Sequence, residues 1–176
     1  MAAGSPLILA DTSSLPEVAG DAARLLAAVD CFPRAADKGI DLGYDGAEAD
    51  APGVTVKGNP TLLKEMVRNL VENAIHYTPS TPERPGVVTL RVLVDPYSRV
   101  LVLQVEDNGP GIAPTERELV FQPFYRALGT NVDGSGLGLP IVREIAQRHG
   151  AAVAVDAAHP GQTPPGACFT VRFGLP

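Results

Sequence analysis

The sequence contains no apolar run approaching the roughly 20 residues that a membrane-spanning helix needs. Its opening, MAAGSPLILADTSS, lacks a basic stretch followed by a long apolar core, so it reads as neither anchor nor secretory leader. The expectation is a soluble segment with no direct membrane contact. Cysteine is scarce. Cys31 and Cys168 have neither metal-ligand spacing nor a C-x-x-C pattern, and they read as small core residues in a reducing compartment. Basic residues are outnumbered, 14 against 20 acidic ones, for a net charge of −6. That balance argues against general nucleic-acid binding, which needs a basic patch or stripe. It leaves room for a small anionic ligand, because helix N-termini hold anions locally. The 176 residues fit one domain, and a chain of this size removes roughly 70% of its unfolded surface from water.

Residues 1–16 read as a disordered lead-in and 17–176 as the domain. Glu17 to Asp30 has helical spacing, with Val18, Leu25, Leu26 and Val29 as its apolar members. Ile40 to Tyr44 alternates as a strand does, and Val54 to Lys57 reads as a second short one. Asn59-Pro60 opens a helix with Asn as N-cap and Pro in the first helical position. The helix runs to about Tyr77, where Thr78-Pro79 ends it. Two strands, Val87 to Val94 and Val100 to Glu106, flank a hairpin turn. A Gly/Pro-rich loop, a helical piece from Thr115 to Val120 and a flexible stretch from Gln122 to Gly134 follow. A helix from about Ser135 to His149 stops at Gly150, and strands at Ala151 to Asp156 and Cys168 to Phe173 close the chain. The predicted fold class is an α/β (α+β) two-layer sandwich. Its sheet is mixed and mostly antiparallel, of about five strands, with about three helices on one face.

On a helical wheel, residues 61–77 put Leu63, Met66, Val67, Leu70, Ala74 and Tyr77 on one side. Glu65, Arg68, Asn69, Glu72, Asn73 and His76 fall on the other. A solvated face accounts for the charged members. It accounts less well for two Asn in mid-helix, where their side chains compete for backbone hydrogen bonds. At i and i+4 the two amides lie side by side, roughly 5–6 Å apart at Cβ. An amide oxygen is a hard, uncharged ligand, suited to magnesium already partly neutralised by phosphates.

Two glycine segments follow strands or open helices. Asp107-Asn108-Gly109-Pro110-Gly111-Ile112 sits at a strand-to-loop transition, where backbone can approach a ligand closely. By itself it also fits a tight turn with a solvated Asp. Gly134-Ser135-Gly136-Leu137-Gly138-Leu139 carries three alternate glycines straight into an amphipathic helix. Successive N–H groups turned to one point, together with the helix N-terminus, suit phosphates. No Gly-Lys-Ser/Thr follows, so it is not a Walker loop, and its spacing is not that of a dinucleotide fingerprint.

These segments, in this order, resemble the ATPase domain shared by histidine kinases, DNA gyrase, the Hsp90 chaperones and MutL, over roughly residues 40–175. Asn69 to Tyr77 resembles the N-box, Asp107-x-Gly109-x-Gly111 the first glycine box, Phe121 to Arg126 the F-box, and Gly134 to Leu139 the second glycine box. Ala35 to Leu42 resembles the entry into this domain in bacterial sensor kinases. The resemblance implies ATP and Mg2+ as cofactors. Asp107 would accept from the adenine amino group, within the loop of Gly109 and Gly111, while Tyr77 and Ile112 pack on the ring. Asn73 would hold the metal with Asn69 beside it. His76 and Arg126 would reach phosphates, and Arg143 is a further candidate. Gly134, Gly136 and Gly138, with Leu137 and Leu139 between them, would form the phosphate cradle. Residues 122–134 would be a mobile lid anchored by Phe121 and Phe124.

Within the superfamily, hydrolysing members and anti-sigma serine kinases carry a Glu at the position of Asn69, usable as a general base. Asn69 cannot take a proton, and a neutral imidazole acceptor needs less activation, so the amide favours a histidine kinase. Two departures stand out. Gly166-Ala167-Cys168-Phe169 lacks the threonine of the usual Gly-Thr-x-Phe, and none of His76, His149 and His159 precedes an acid, as a phosphoacceptor would. The implied function is γ-phosphoryl transfer from ATP-Mg to a histidine on a separate dimerisation/phosphoacceptor domain, with a response regulator downstream. A stand-alone anti-sigma-type serine/threonine kinase and a non-catalytic nucleotide-binding module are the alternatives. The segment is expected to be monomeric and cytoplasmic, with its parent anchored in a bacterial inner membrane.

Overall fold

The structure, a computed structural model, describes residues 30–46, 56, 58–95, 97–126 and 135–174. Five strands form one mixed sheet: β1 (Ile40–Gly46), β2 (Gly86–Asp95), β3 (Val100–Asp107), β4 (Ala152–Ala157) and β5 (Ala167–Gly174). Their order is β1-β2-β3-β5-β4, with β1 parallel to β2 and the other pairs antiparallel. Along β3, Leu101, Leu103, Val105 and Asp107 are buried and alternate with half-buried residues. This period of two gives the sheet one core face. Two helices, α1 (Pro60–Tyr77) and α2 (Gly138–Arg148), pack on each other, and reach β2 and β3 from α1 and β4 from α2.

The start of α1 follows from local chemistry. The Asn59 side chain accepts from the N–H groups of Thr61 and Leu62 at 3.0 and 3.2 Å, satisfying two donors that the helix cannot. The apolar side is wider than the wheel indicates. Val71 and Ile75 are buried with Leu63, Met66, Val67, Leu70 and Ala74, because α1 is covered on more than one flank, while Tyr77 is only half-buried. One of those flanks is a helical stretch at 30–37, which continues past the predicted end at Asp30 because Cys31 and Ala35 bury in the core. The rest of that predicted helix lies outside the described residues. So does most of the predicted strand at Val54 to Lys57, of which only Val56 is described, without strand pairing. Cys31 fits the core reading, and burial pushes its thiol up to about 11. Cys168 is only half-buried.

Two further boundaries differ from expectation. The helical piece at Thr115 to Val120 is a pair of 3-10 turns, Pro114–Glu116 and Leu119–Phe121. Helix α2 begins at Gly138 rather than Ser135, because Gly136 adopts a left-handed φ of 68°. At its far end, His149 joins the two helices. Its Nδ1 lies 2.7 Å from the Ile145 carbonyl, and its Nε2 accepts the Asn59 N–H at 3.1 Å. Gly58 makes room for the ring, since a Cβ there would stand 2.3 Å from His149 Cδ2. No described helix is long and apolar enough to cross a membrane.

This clasp gives a stability prediction. Asn59→Ala should cost about 1 kcal/mol through loss of the cap. His149→Leu should cost about 0.5–1.5 kcal/mol, the net worth of the hydrogen bond that the exposed Asn59 N–H then gives up to water. Urea unfolding should show lower midpoints at unchanged slope. Unchanged midpoints would show that the clasp contributes nothing.

Candidate functional site

A cavity of about 460 Å³ opens between α1, the loop after β3 and the start of α2, within the size range of small-molecule sites. Asn69, Asn73, His76 and Tyr77 reach it from α1, and Asp107, Gly111 and Ile112 from the end of β3 and its loop. Arg126 and the run Gly136, Leu137, Gly138 and Leu139 complete the wall, with Ala167 and Phe169 of β5 behind.

Asp107 sits at the end of β3 and is only 5% exposed. Its Oδ1 accepts from the Gly109 N–H at 2.8 Å and the Ala167 N–H at 3.2 Å. Its Oδ2 takes no hydrogen bond among the described residues. Burial raises its carboxyl to about 6, against the lowering effect of those two N–H groups. A carboxylate desolvated in this way needs a donor, and a ligand bearing an N–H answers that need. Space around it is tight at one glycine and excludes any side chain at another. A Cβ on Gly109 would lie 3.0 Å from Asp107 Oδ1, and one on Gly166 only 2.1 Å from the Asp107 carbonyl oxygen.

The opposite end of the cavity is built around Asn69. Its Nδ2 donates to the Glu65 carbonyl at 2.8 Å and to Glu65 Oε1 at 3.1 Å. Both donors are thereby used, and Oδ1 faces α2, where a Cβ on Gly138 would come within 3.2 Å of it. The first turn of α2 thus lies against the amide strip of α1, with its unsatisfied N–H groups and partial positive charge. Among the described residues no three His, Cys, Asp or Glu side chains gather as a metal cluster. A cation would therefore rely on the neutral oxygens of Asn73 and Asn69 and on ligand oxygens, a donor set that fits magnesium.

Several predicted residues stand elsewhere. Phe124 is 75% exposed and absent from the cavity wall, because its φ of 64° and its N–H bond to the Gly136 carbonyl (3.0 Å) turn the ring outward. Arg143 is engaged away from the cavity: it bonds Glu118 at 2.7 Å and lies 4.7 Å over the Phe121 ring. Phe121 itself is core, packed edge-on against Phe169. Gly109 serves the site through Asp107 without lining the cavity. Gly134 and residues 127–133 of the predicted lid lie outside the described residues. Conversely, Arg34, Glu72 and Tyr125, to which the sequence assigns no role in the site, line the cavity. The position of Glu72 beside Asn73 was a usable signal. That of Arg34 was not, since its approach depends on tertiary packing.

A buried acid at a strand end, facing an amide-bearing helix and a glycine-rich helix start, defines a nucleotide-binding ATPase domain. The chain matches the family of histidine kinase-, DNA gyrase B-, and HSP90-like ATPases over residues 58–176, and it belongs to that family. The signal transduction histidine-protein kinase/phosphatase MprB of Mycobacterium avium is 44% identical over 132 residues, 74% of this chain and 24% of that protein. MprB of Mycolicibacterium smegmatis is 41% identical over 138 residues, 77% of this chain and 26% of that protein. The chain thus spans about a quarter of the length of the curated relatives it matches. Among solved structures, a mycobacterial sensor histidine kinase MprB superposes with a TM-score of 0.73 at 32% identity, over 88% of this chain and 94% of that one. Full-length ShkA in complex with AMPPNP gives 0.69 at 28% identity, over 87% of this chain and 29% of that one.

The burial of Asp107 sets a pH dependence. Its protonated form is favoured in the fold, so its contribution to stability is full below the unfolded pKa near 4 and is lost as pH rises through about 6. Asp107→Asn keeps an acceptor for both N–H groups and removes that ionisation. It should stabilise the ligand-free domain by on the order of 2–3 kcal/mol at pH 8, and by little at pH 4. Denaturant midpoints across this range measure the difference, and a parallel pH profile in the variant would contradict it.

Proposed function

We propose that this domain binds ATP with magnesium and transfers the γ-phosphoryl group to a histidine on a separate dimerisation/phosphoacceptor domain, from which a response regulator is then phosphorylated. The single observation that carries this reading is the polarity of the cavity. One end holds a buried carboxylate and apolar walls, and the other holds two neutral amides and a helix N-terminus. Adenine matches the first end and a phosphate chain the second.

Each part follows from the chemistry of its groups. Asp107 accepts the adenine amino N–H, and the carbonyl of guanine at the same place repels it, so ATP is preferred to GTP. Tyr77 and Ile112 flank the ring. Gly136 and Gly138 give backbone room to phosphate oxygens, with His76 and Arg126 beside them. Asn73, with Asn69 next to it, would hold magnesium, which when bound neutralises phosphate charge. Asn69 takes no proton, so the domain positions the donor and leaves nucleophilicity to the acceptor imidazole. The parent would work at the cytoplasmic side of a bacterial membrane, with this segment as a monomer.

The test mixes the domain with ATP, magnesium and a separately made phosphoacceptor domain of a histidine kinase. Acid-labile phosphate on that partner is the expected result. Acid-stable phosphate on a protein, or binding without transfer, would overturn the proposal. Asn73→Ala should abolish transfer and remove most of the effect of magnesium on nucleotide affinity in isothermal titration. Unchanged magnesium dependence would return Asn73 to an ordinary exposed position on α1.

A further inference from the structure

The helical stretch at 30–37 runs beside α1 in the same direction. Asp30 meets Lys64 at 2.7 Å near the start of both, and Lys38 Nζ donates to the carbonyls of Ile75 and His76 at 2.7 and 2.6 Å near their ends. Cys31 and Ala35 fasten the stretch to the core. Arg34 lies between these anchors, so its backbone position is fixed, and its side chain reaches the cavity wall. There it makes a loose ion pair with Glu72, Nη1 to Oε1 at 3.9 Å, beyond hydrogen-bond distance, and remains 57% exposed. An exposed pair of this kind contributes about 0–1 kcal/mol. Glu72 directly precedes Asn73 on α1, so the ion pair brings Arg34 beside the helix that carries the two cavity-lining amides.

We infer that Arg34 is a phosphate-binding residue of this site, its guanidinium giving up the loose contact with Glu72 to take phosphate oxygens of the bound nucleotide. The inference rests on the reading of the cavity as an ATP site. A guanidinium offers five donors in a planar fork that matches phosphate oxygens, and such charge-assisted, bidentate contacts outweigh a distant carboxylate in solvent. Arg34 precedes the stretch 58–176 that matches the family, so it is supplied by the chain that leads into the domain. Phosphate binding then depends on how that leading helix is seated.

The experiment is isothermal titration of wild type, R34A and R34K with ATP, ADP and adenosine, each with magnesium. In wild type all three should bind. R34A should weaken ATP and ADP about tenfold, the effect of losing one charge-assisted contact, and leave adenosine unchanged; R34K should recover part of the loss. Unchanged affinities for ATP and ADP in R34A would overturn the inference alone. An equal loss for all three ligands would also overturn it, showing a structural role. Failure of wild type to bind ATP would overturn the nucleotide reading, and this inference with it.

Discussion

The carboxylate of Asp107 is the constraint on which the site depends. It is desolvated at the end of β3, and two backbone N–H groups, from Gly109 and Ala167, converge on the same oxygen. That convergence ties the loop after β3 to the first residue of β5, and it demands glycine at 166, where a Cβ would collide with the Asp107 carbonyl, and leaves little room at 109. A buried acid satisfied on one oxygen is expensive to keep. Its cost makes sense when the remaining oxygen receives a donor from a ligand. On the proposed reading, the ionised carboxylate that would serve the ligand is also the form that burial disfavours in the ligand-free fold.

Helix α1 carries the complementary half of the problem. Its buried residues spread over more than one flank because the sheet, α2 and the helical stretch at 30–37 all lie against it. One strip remains for the cavity, and it holds Asn69, Asn73 and His76 with Glu72. The amide of Asn69 is oriented by Glu65, one turn earlier, so that its oxygen meets the start of α2. On the proposed reading, the amides of this strip and the start of α2 would take phosphates and a cation together, with Glu72 as the one carboxylate of α1 on the wall.

Much of this was legible in the sequence, for reasons that differ by element. The Asn59-Pro60 start of α1 was readable because capping is a local interaction. The sheet was readable from the alternation at Ile40 to Tyr44 and from two strand runs on either side of a hairpin turn, and the two glycine segments from their place at a strand end and a helix start. What escaped were features set by distant partners. Val71 and Ile75 became core only because a second flank of α1 is covered. Phe124 was expected to anchor the lid beside the ligand site, but the left-handed backbone locked to Gly136 turns its ring out. Arg143 was expected near phosphates, but Glu118 and the Phe121 ring hold it elsewhere. Arg34, in turn, reaches the cavity through a helix whose seating no local pattern announces.

The central claim is that the cavity orients a nucleotide from Asp107 at one end to the amides of α1 at the other. A crystal structure of the domain with a non-hydrolysable ATP analogue and magnesium tests it most directly. The account predicts the adenine amino nitrogen about 3 Å from the Asp107 carboxylate, with the phosphates lying between Asn69, Asn73 and the Gly136–Gly138 turn. An adenine ring away from Asp107, or phosphates at the Asp107 end, would contradict it.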